Sequence, residues 1–144
     1  MRIVDFIVCD DIRYEIGNKH SLIGLYDDQI QFQVPIVERG KWPMFLKLGI
    51  LLRAKFENEL ERLQVTKFRL ESTLNGTTKL LAEGGFNFDP KVDAKGVNIA
   101  IVLNQFIFES PGTLSFRYTF LDNKNSIVQV FDSPDPIKVT EAVI

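Results

Sequence analysis

Residues 44–56 alternate between apolar and polar positions, with Met44, Leu46, Leu48, Ile50, Leu52, Ala54 and Phe56 on one side. Lys47, Gly49, Arg53 and Lys55 fall on the other. Successive side chains of a strand point to opposite faces, so this period of two predicts a long strand with one dry face and one mostly wet face. Residues 66–74 repeat the pattern, with Phe68, Leu70 and Leu74 inward and Lys67, Arg69 and Glu71 outward. Asn75-Gly76 follows, a pair that accepts positive φ and so closes a tight hairpin, and the chain returns through residues 77–82. Leu114, Phe116, Tyr118 and Phe120 alternate with Thr113, Ser115, Arg117 and Thr119, before a polar turn at 122–126 and a further run at 127–131. The core expected from these strands is Leu46, Leu48, Ile50, Leu52, Phe68, Leu70, Ile99, Ile101, Leu103, Phe116, Tyr118 and Phe120.

Two segments are apolar on both faces. In residues 3–9, Val4, Phe6 and Val8 oppose Ile3, Ile7 and Cys9. In residues 97–108, Val97, Ile99, Ile101, Leu103 and Ile107 oppose Ala100, Val102, Phe106 and Phe108. Strands buried on both sides read this way. A sandwich layer supplies only one dry face, so a loop, a short helix or a second subunit is expected to cover the other. The N-terminal strand, through Ile3 and Ile7, is the favoured contact for a homodimer. Trp42, between Lys41 and Pro43, is a candidate anchor for a partner or a sugar and equally a candidate plug for the end of the sandwich.

Helical pattern is scarce: residues 57–63 predict a turn or two of helix or a charged loop. Pro35, Pro43, Pro90, Pro111, Pro134 and Pro136 lie at the ends of runs or between them, where a missing N–H does no harm. The prediction is an all-β fold, an antiparallel two-sheet β-sandwich of about eight strands. Residues 1–144 make a single domain, with Greek-key connections of immunoglobulin-like or C2-like type.

The stretch Cys9 to Asp28, CDDIRYEIGNKHSLIGLYDD, places the acidic pairs Asp10-Asp11 and Asp27-Asp28 around a hairpin that turns at Gly17-Asn18-Lys19. A register pairing Tyr14 with Ile23 and Ile12 with Leu25 sets Asp10 opposite Asp27. Like charges in that position repel by about 0.2–1 kcal/mol, which a bound cation relieves; Ca²⁺ prefers several such oxygens. Asp132 and Asp135 would add to the site if the fold brought them close. The alternative is that the aspartates cap turns and accept backbone N–H groups.

At 144 residues the chain is long enough to bury a core without staples. Twelve Phe against one Trp and three Tyr suit a packed β core. A net charge of −2 argues against a general nucleic-acid binder. Cys9 is the only cysteine, which excludes an intrachain disulfide and fits a reducing compartment. Asp5 interrupts the N-terminal apolar run, so no signal peptide is read there, and no run is long enough to span a bilayer. A cytoplasmic protein with no membrane contact is expected.

The order of a strand, CDDIR, Gly-Asn-Lys, SLIGLYDD and then Ser110-Pro111-Gly112 before an aromatic strand resembles a group of bacterial domains of unknown function. In that group an N-terminal CDD segment, a GK-SLIG-YD segment and a PG-x-Y/F strand recur. The matching positions are Cys9, Asp10, Asp11, Gly17, Lys19, Ser21, Leu22, Ile23, Gly24, Tyr26, Asp27, Pro111 and Gly112. The chain departs from the pattern with Asn18 before Lys19 and His20 after it. The likeness spans nearly the whole chain and supports the fold; it carries no activity.

Candidate catalytic sets are thin. His20 is the only histidine and sits at the hairpin turn, while Cys9 lies toward the open end, so a Cys-His dyad is not expected and Cys9 reads as a small buried hydrophobe. One His and one Cys rule out the usual zinc site within one chain. No nucleophile elbow, zincin motif or phosphate-cradling glycine loop occurs, so no cofactor is expected. Lys47, Arg53, Lys55, Lys67 and Arg69 would form a basic stripe if their strands shared a sheet, although the nearby glutamates favour a mixed, solvated face. The expected role is a non-enzymatic module that binds another protein or its own copy. The alternative is a Ca²⁺- or small-ligand-binding sandwich that uses Asp10, Asp11, Asp27 and Asp28. Carboxylate-only acid–base catalysis is a third reading, with nothing to fix a substrate.

Overall fold

A computed structural model describes residues 1–86 and 94–144. Pro90 lies outside the described residues. The chain opens with a long hairpin, β1 (Arg2–Glu15) and β2 (Lys19–Tyr26), followed by β3 (Gln29–Val34). After a short 3-10 turn at Ile36–Glu38 come β4 (Met44–Lys55) and α1 (Glu59–Gln64), the one α-helix among the described residues. Asn58 caps α1, its side-chain oxygen accepting the Glu61 N–H at 2.9 Å. Then follow β5 (Lys67–Leu74), β6 (Thr77–Gly85), β7 (Gly96–Phe108), β8 (Gly112–Leu121), β9 (Ile127–Asp132) and β10 (Ile137–Val143).

Two sheets face each other, as expected of a β-sandwich. One has the order β2-β1-β4-β7; the other has β3-β10-β8-β5-β6, with β9 also pairing β8. The chain therefore crosses between sheets five times. All neighbouring strands are antiparallel except β3 and β10, which run parallel from Gln29↔Lys138 to Val34↔Val143. The expected basic stripe does not form, because β4 and β5 belong to different sheets. Arg53 instead pairs with Asp5, and Arg69 with Glu83.

The core lies between the sheets. Leu48, Ile50 and Leu52 of β4 meet Leu70 of β5 and Phe116, Tyr118 and Phe120 of β8, all buried. Leu46, Phe68, Ile101 and Leu103 pack around them, so every residue of the predicted core belongs to it. Phe6 joins the layers, its ring 5.8 Å from both Phe116 and Phe131. Burial of these large side chains supplies most of the driving force for the fold.

Two bulges change which faces the doubly apolar strands present. In β1, Val4 is an extra residue between the pairs Ile3↔Ala54 and Asp5↔Arg53. The phase of β1 therefore shifts, and Ile3 turns into the main core beside Phe6 and Val8 rather than lying with Ile7 and Cys9. In β7, Asn104 and Gln105 oppose the single Lys47, between the pairs Leu48↔Leu103 and Leu46↔Phe106. Phe106 and Phe108 consequently share the inner face with Ile99 and Ile101, while Ile107 points outward and is partly exposed. A bulge re-aims every side chain beyond it.

Candidate functional site

The first hairpin closes through Ile16-Gly17-Asn18, with φ of +90° at Gly17 and +55° at Asn18. Its register differs from the expected one by three residues: Tyr14 lies against His20, Ile12 against Leu22 and Cys9 against Leu25. The turn is as short as the Glu15↔Lys19 pair allows, and that tightness sets every pair behind it. Asp10 therefore falls across from Gly24, and Asp27 lies beyond the end of β2.

Each aspartate of the expected cluster has a separate setting. The Tyr26 hydroxyl donates a short hydrogen bond to Asp10 Oδ1. Burial, reinforced by that carboxylate, pushes the Tyr26 phenol well above its ordinary value. Asp11 accepts the Ile12 N–H at 2.9 Å and pairs with Lys47 Nζ at 3.0 Å and Arg13 Nε at 3.6 Å. The Lys47 ammonium holds its carboxyl below the usual range. Asp27 and Asp28 are exposed in the bend before β3, where the Asp28 carbonyl accepts the Lys138 N–H at 2.8 Å. Asp132 takes a two-point contact from Arg117, with Nε to Oδ1 at 2.6 Å and Nη2 to Oδ2 at 3.2 Å. Asp27 and Asp135 border one shallow cleft of about 250 Å³ beside Tyr26 and Phe6. Among the described residues no group of three or more Asp, Glu, His or Cys side chains is placed to hold a metal ion.

Cys9 is fully buried, its thiol 3.4 Å from the Asp11 carbonyl oxygen. Burial raises its pKa above the ordinary value, which disfavours the thiolate. His20 lies five residues further along the hairpin, its ring against Tyr14 at 5.3 Å. Trp42 packs edge-on to Phe32 at 5.7 Å, and Phe32 packs on Phe108 at 5.2 Å, so its indole covers one end of the core.

The outer face of the four-stranded sheet carries the main unassigned feature. Cross-strand partners share a face, and the registers line them up in rows. One row is Asp5–Arg53–Asn98; the next is Ile7–Leu51–Ala100; the third is Leu25–Cys9–Gly49–Val102. The two apolar rows adjoin each other and reach across the sheet. Cys9, Ile12 and Leu51 form a small buried cluster there with Ile7 and Leu22, separate from the main core. Gly49 makes this packing possible: a Cβ at that position would lie 2.9 Å from Ile12 Cγ1 and 3.0 Å from Cys9 Sγ. Around the cluster Leu25 is 59% exposed and Val102 36%. Ion pairs bound the apolar band at both ends, Arg53 with Asp5 at 3.3 Å and Lys47 with Asp11 at 3.0 Å.

Ile7 is the one predicted interface residue on this face. Val102 was read only as part of a doubly apolar segment, and Leu25 and Leu51 were not singled out by sequence; Leu51 falls among Lys47, Gly49, Arg53 and Lys55, which mark the wet face of β4. The signal available for it was the apolar residue between Gly49 and Arg53.

Fold and face together define an all-β sandwich with a partly covered apolar outer face on its four-stranded sheet. Residues 4–128 match the model of a family of unknown function, DUF6941, and the chain belongs to that family. The resemblance read from the sequence agrees with this at the level of the family. No curated protein matches the chain. Among the described residues no helix is long and apolar enough to cross a membrane.

Proposed function

We propose that this protein is a non-enzymatic, self-associating β-sandwich module, acting in a reducing cytoplasmic setting, that uses the outer face of its β2-β1-β4-β7 sheet to contact a second copy of itself. The observation that carries the reading is the pair of adjoining apolar rows, Ile7–Leu51–Ala100 and Leu25–Cys9–Gly49–Val102, framed by the Asp5–Arg53 and Asp11–Lys47 pairs. The apolar surface itself comes from the exposed Leu25, Ala100 and Val102 and the half-buried Ile7, around the already buried Cys9 and Leu51; apolar surface with a polar rim is the pattern of protein contact sites.

A second copy fits the charge pattern. Each rim holds one acid on β1 and one base on β4. A two-fold axis running along the strands between β1 and β4 lays Arg53 of one copy over Asp5 of the other. Such an interface is self-complementary, as two-fold contacts require. Light scattering at micromolar concentration should give twice the 16.5 kDa of one chain. Leu25→Glu and Val102→Glu, both at exposed positions, should return it to one chain with an unchanged far-UV spectrum. A monomeric parent protein would overturn the reading.

A further inference from the structure

At the opposite edge of the sandwich, β6 and β7 are the last strands of their sheets, and a cleft of about 280 Å³ opens between them. Ser72 of β5 lies at its base and is only 2% exposed. Its hydroxyl lines the cleft and makes no hydrogen bond among the described residues. The residue is buried but its oxygen is not sealed from the cleft, so a ligand hydroxyl there can take up its hydrogen-bonding capacity. Leu74 and Phe106 form the apolar walls. Leu81 is an extra residue of β6, between the pairs Leu70↔Ala82 and Glu71↔Leu80, so Lys79 pairs with Ser72 and shares its face.

The mouth carries one charge of each sign. Lys79 Nζ and Glu109 Oε1 stand 3.4 Å apart, both partly exposed. That separation is longer than a good charge-assisted hydrogen bond, and exposed pairs of this kind open at little cost. One wall is rigid: Asn75 Nδ2 donates to Ser110 Oγ at 2.8 Å and to the Pro111 carbonyl at 2.6 Å, while Asn75 Oδ1 accepts the Thr113 N–H at 3.2 Å.

We infer that this cleft binds a small zwitterion, a free aromatic α-amino acid with a ring hydroxyl, placing its carboxylate on Lys79, its ammonium on Glu109, its ring between Leu74 and Phe106 and its hydroxyl on Ser72. The volume falls just below the ~300 Å³ at which drug-sized sites begin, which suits a molecule of this size. The opposite charges at the rim match a zwitterion better than either a simple acid or a simple amine. The site shares no residue with the self-association face, so the two readings stand or fall separately.

The test is an amide NMR titration of the full chain with L-tyrosine, beside tyramine, 3-(4-hydroxyphenyl)propionate and L-phenylalanine. Saturable shifts should centre on residues 72–79 and 106–110, and each analogue, lacking one of the three polar groups, should bind about tenfold more weakly. Lys79→Met and Glu109→Gln, at partly exposed positions, should weaken L-tyrosine by a similar factor and leave the rest of the spectrum intact. Ser72→Ala should abolish the preference for tyrosine over phenylalanine. Absence of saturable shifts up to the solubility limit of tyrosine overturns the inference. So does equal binding of the propionate, which would mean the ammonium makes no contact, or binding that survives both rim variants.

Discussion

Gly24 adopts φ of +68° in the middle of β2, beside a carboxylate that the Tyr26 hydroxyl holds in place. A Cβ at Gly24 would run into Asp10 Oδ2 and Cγ. Gly17, at φ +90° in the hairpin turn, has nothing within 4 Å of the same position. The two glycines therefore separate backbone strain from steric contact. Gly17→Ala should cost about 1–2 kcal/mol, the left-handed penalty alone. Gly24→Ala should cost a further ~1–3 kcal/mol from crowding against Asp10. Urea unfolding of both variants measures the difference, and equal midpoints would show that the Asp10 side chain swings aside freely. Nothing in the run SLIGLYDD announced this, because a glycine within an apolar strand pattern does not say which residue lies across from it.

At the scale of elements, the strands with one wet face were legible. Lys47, Arg53, Lys67, Arg69 and Arg117 mark the outer side, and the core residues between them fall where the alternation puts them. The strands apolar on both faces were not, because a bulge at Val4 or at Asn104-Gln105 exchanges one apolar set for another, and the polar residues beside it, Asp5 or Asn104 and Gln105 themselves, do not tell a shift of phase from an ordinary outward position. The two hairpins show the same limit. Both turns were visible as Gly-Asn and Asn-Gly, but the register of the first depends on how tightly its turn closes, and the acidic pairs separate as a result. At the second turn the role of Asn75 extends beyond its φ of +51°, since its side chain also ties the β5–β6 turn to the segment entering β8. Asn75→Ala should lose those bonds and gain left-handed strain, about 2–4 kcal/mol together. Asn75→Gly keeps the backbone freedom and loses only the bonds, so it should fall between the two in thermal denaturation.

Over the whole molecule, β10 decides whether one sheet closes. It lies between β3 and β8, pairing parallel with the first and antiparallel with the second. The partner residues Ile30 and Val139 are more than a hundred positions apart, and no local signal in either run points to the other. Parallel pairing at such a separation costs chain entropy that only the finished sandwich offsets, so β3 and β10 should form late in folding. Ile30, Ile137 and Val139 are all buried in the main core, whereas Ile144 is mostly exposed. A chain stopped after Pro136 loses Ile137 and Val139 and leaves β3 with no strand to pair with in its sheet. It should fail to give a cooperative unfolding transition, although the β1–β2 and β5–β6 hairpins keep their own sequences intact. A chain lacking only Ile144 should unfold within about 0.5 kcal/mol of the parent, as changes at exposed sites usually do. Cooperative unfolding of the chain ending at Pro136 would mean that the five remaining strands β3, β5, β6, β8 and β9 can close a sheet without β10, and that the parallel pair is an addition to the fold rather than its clasp.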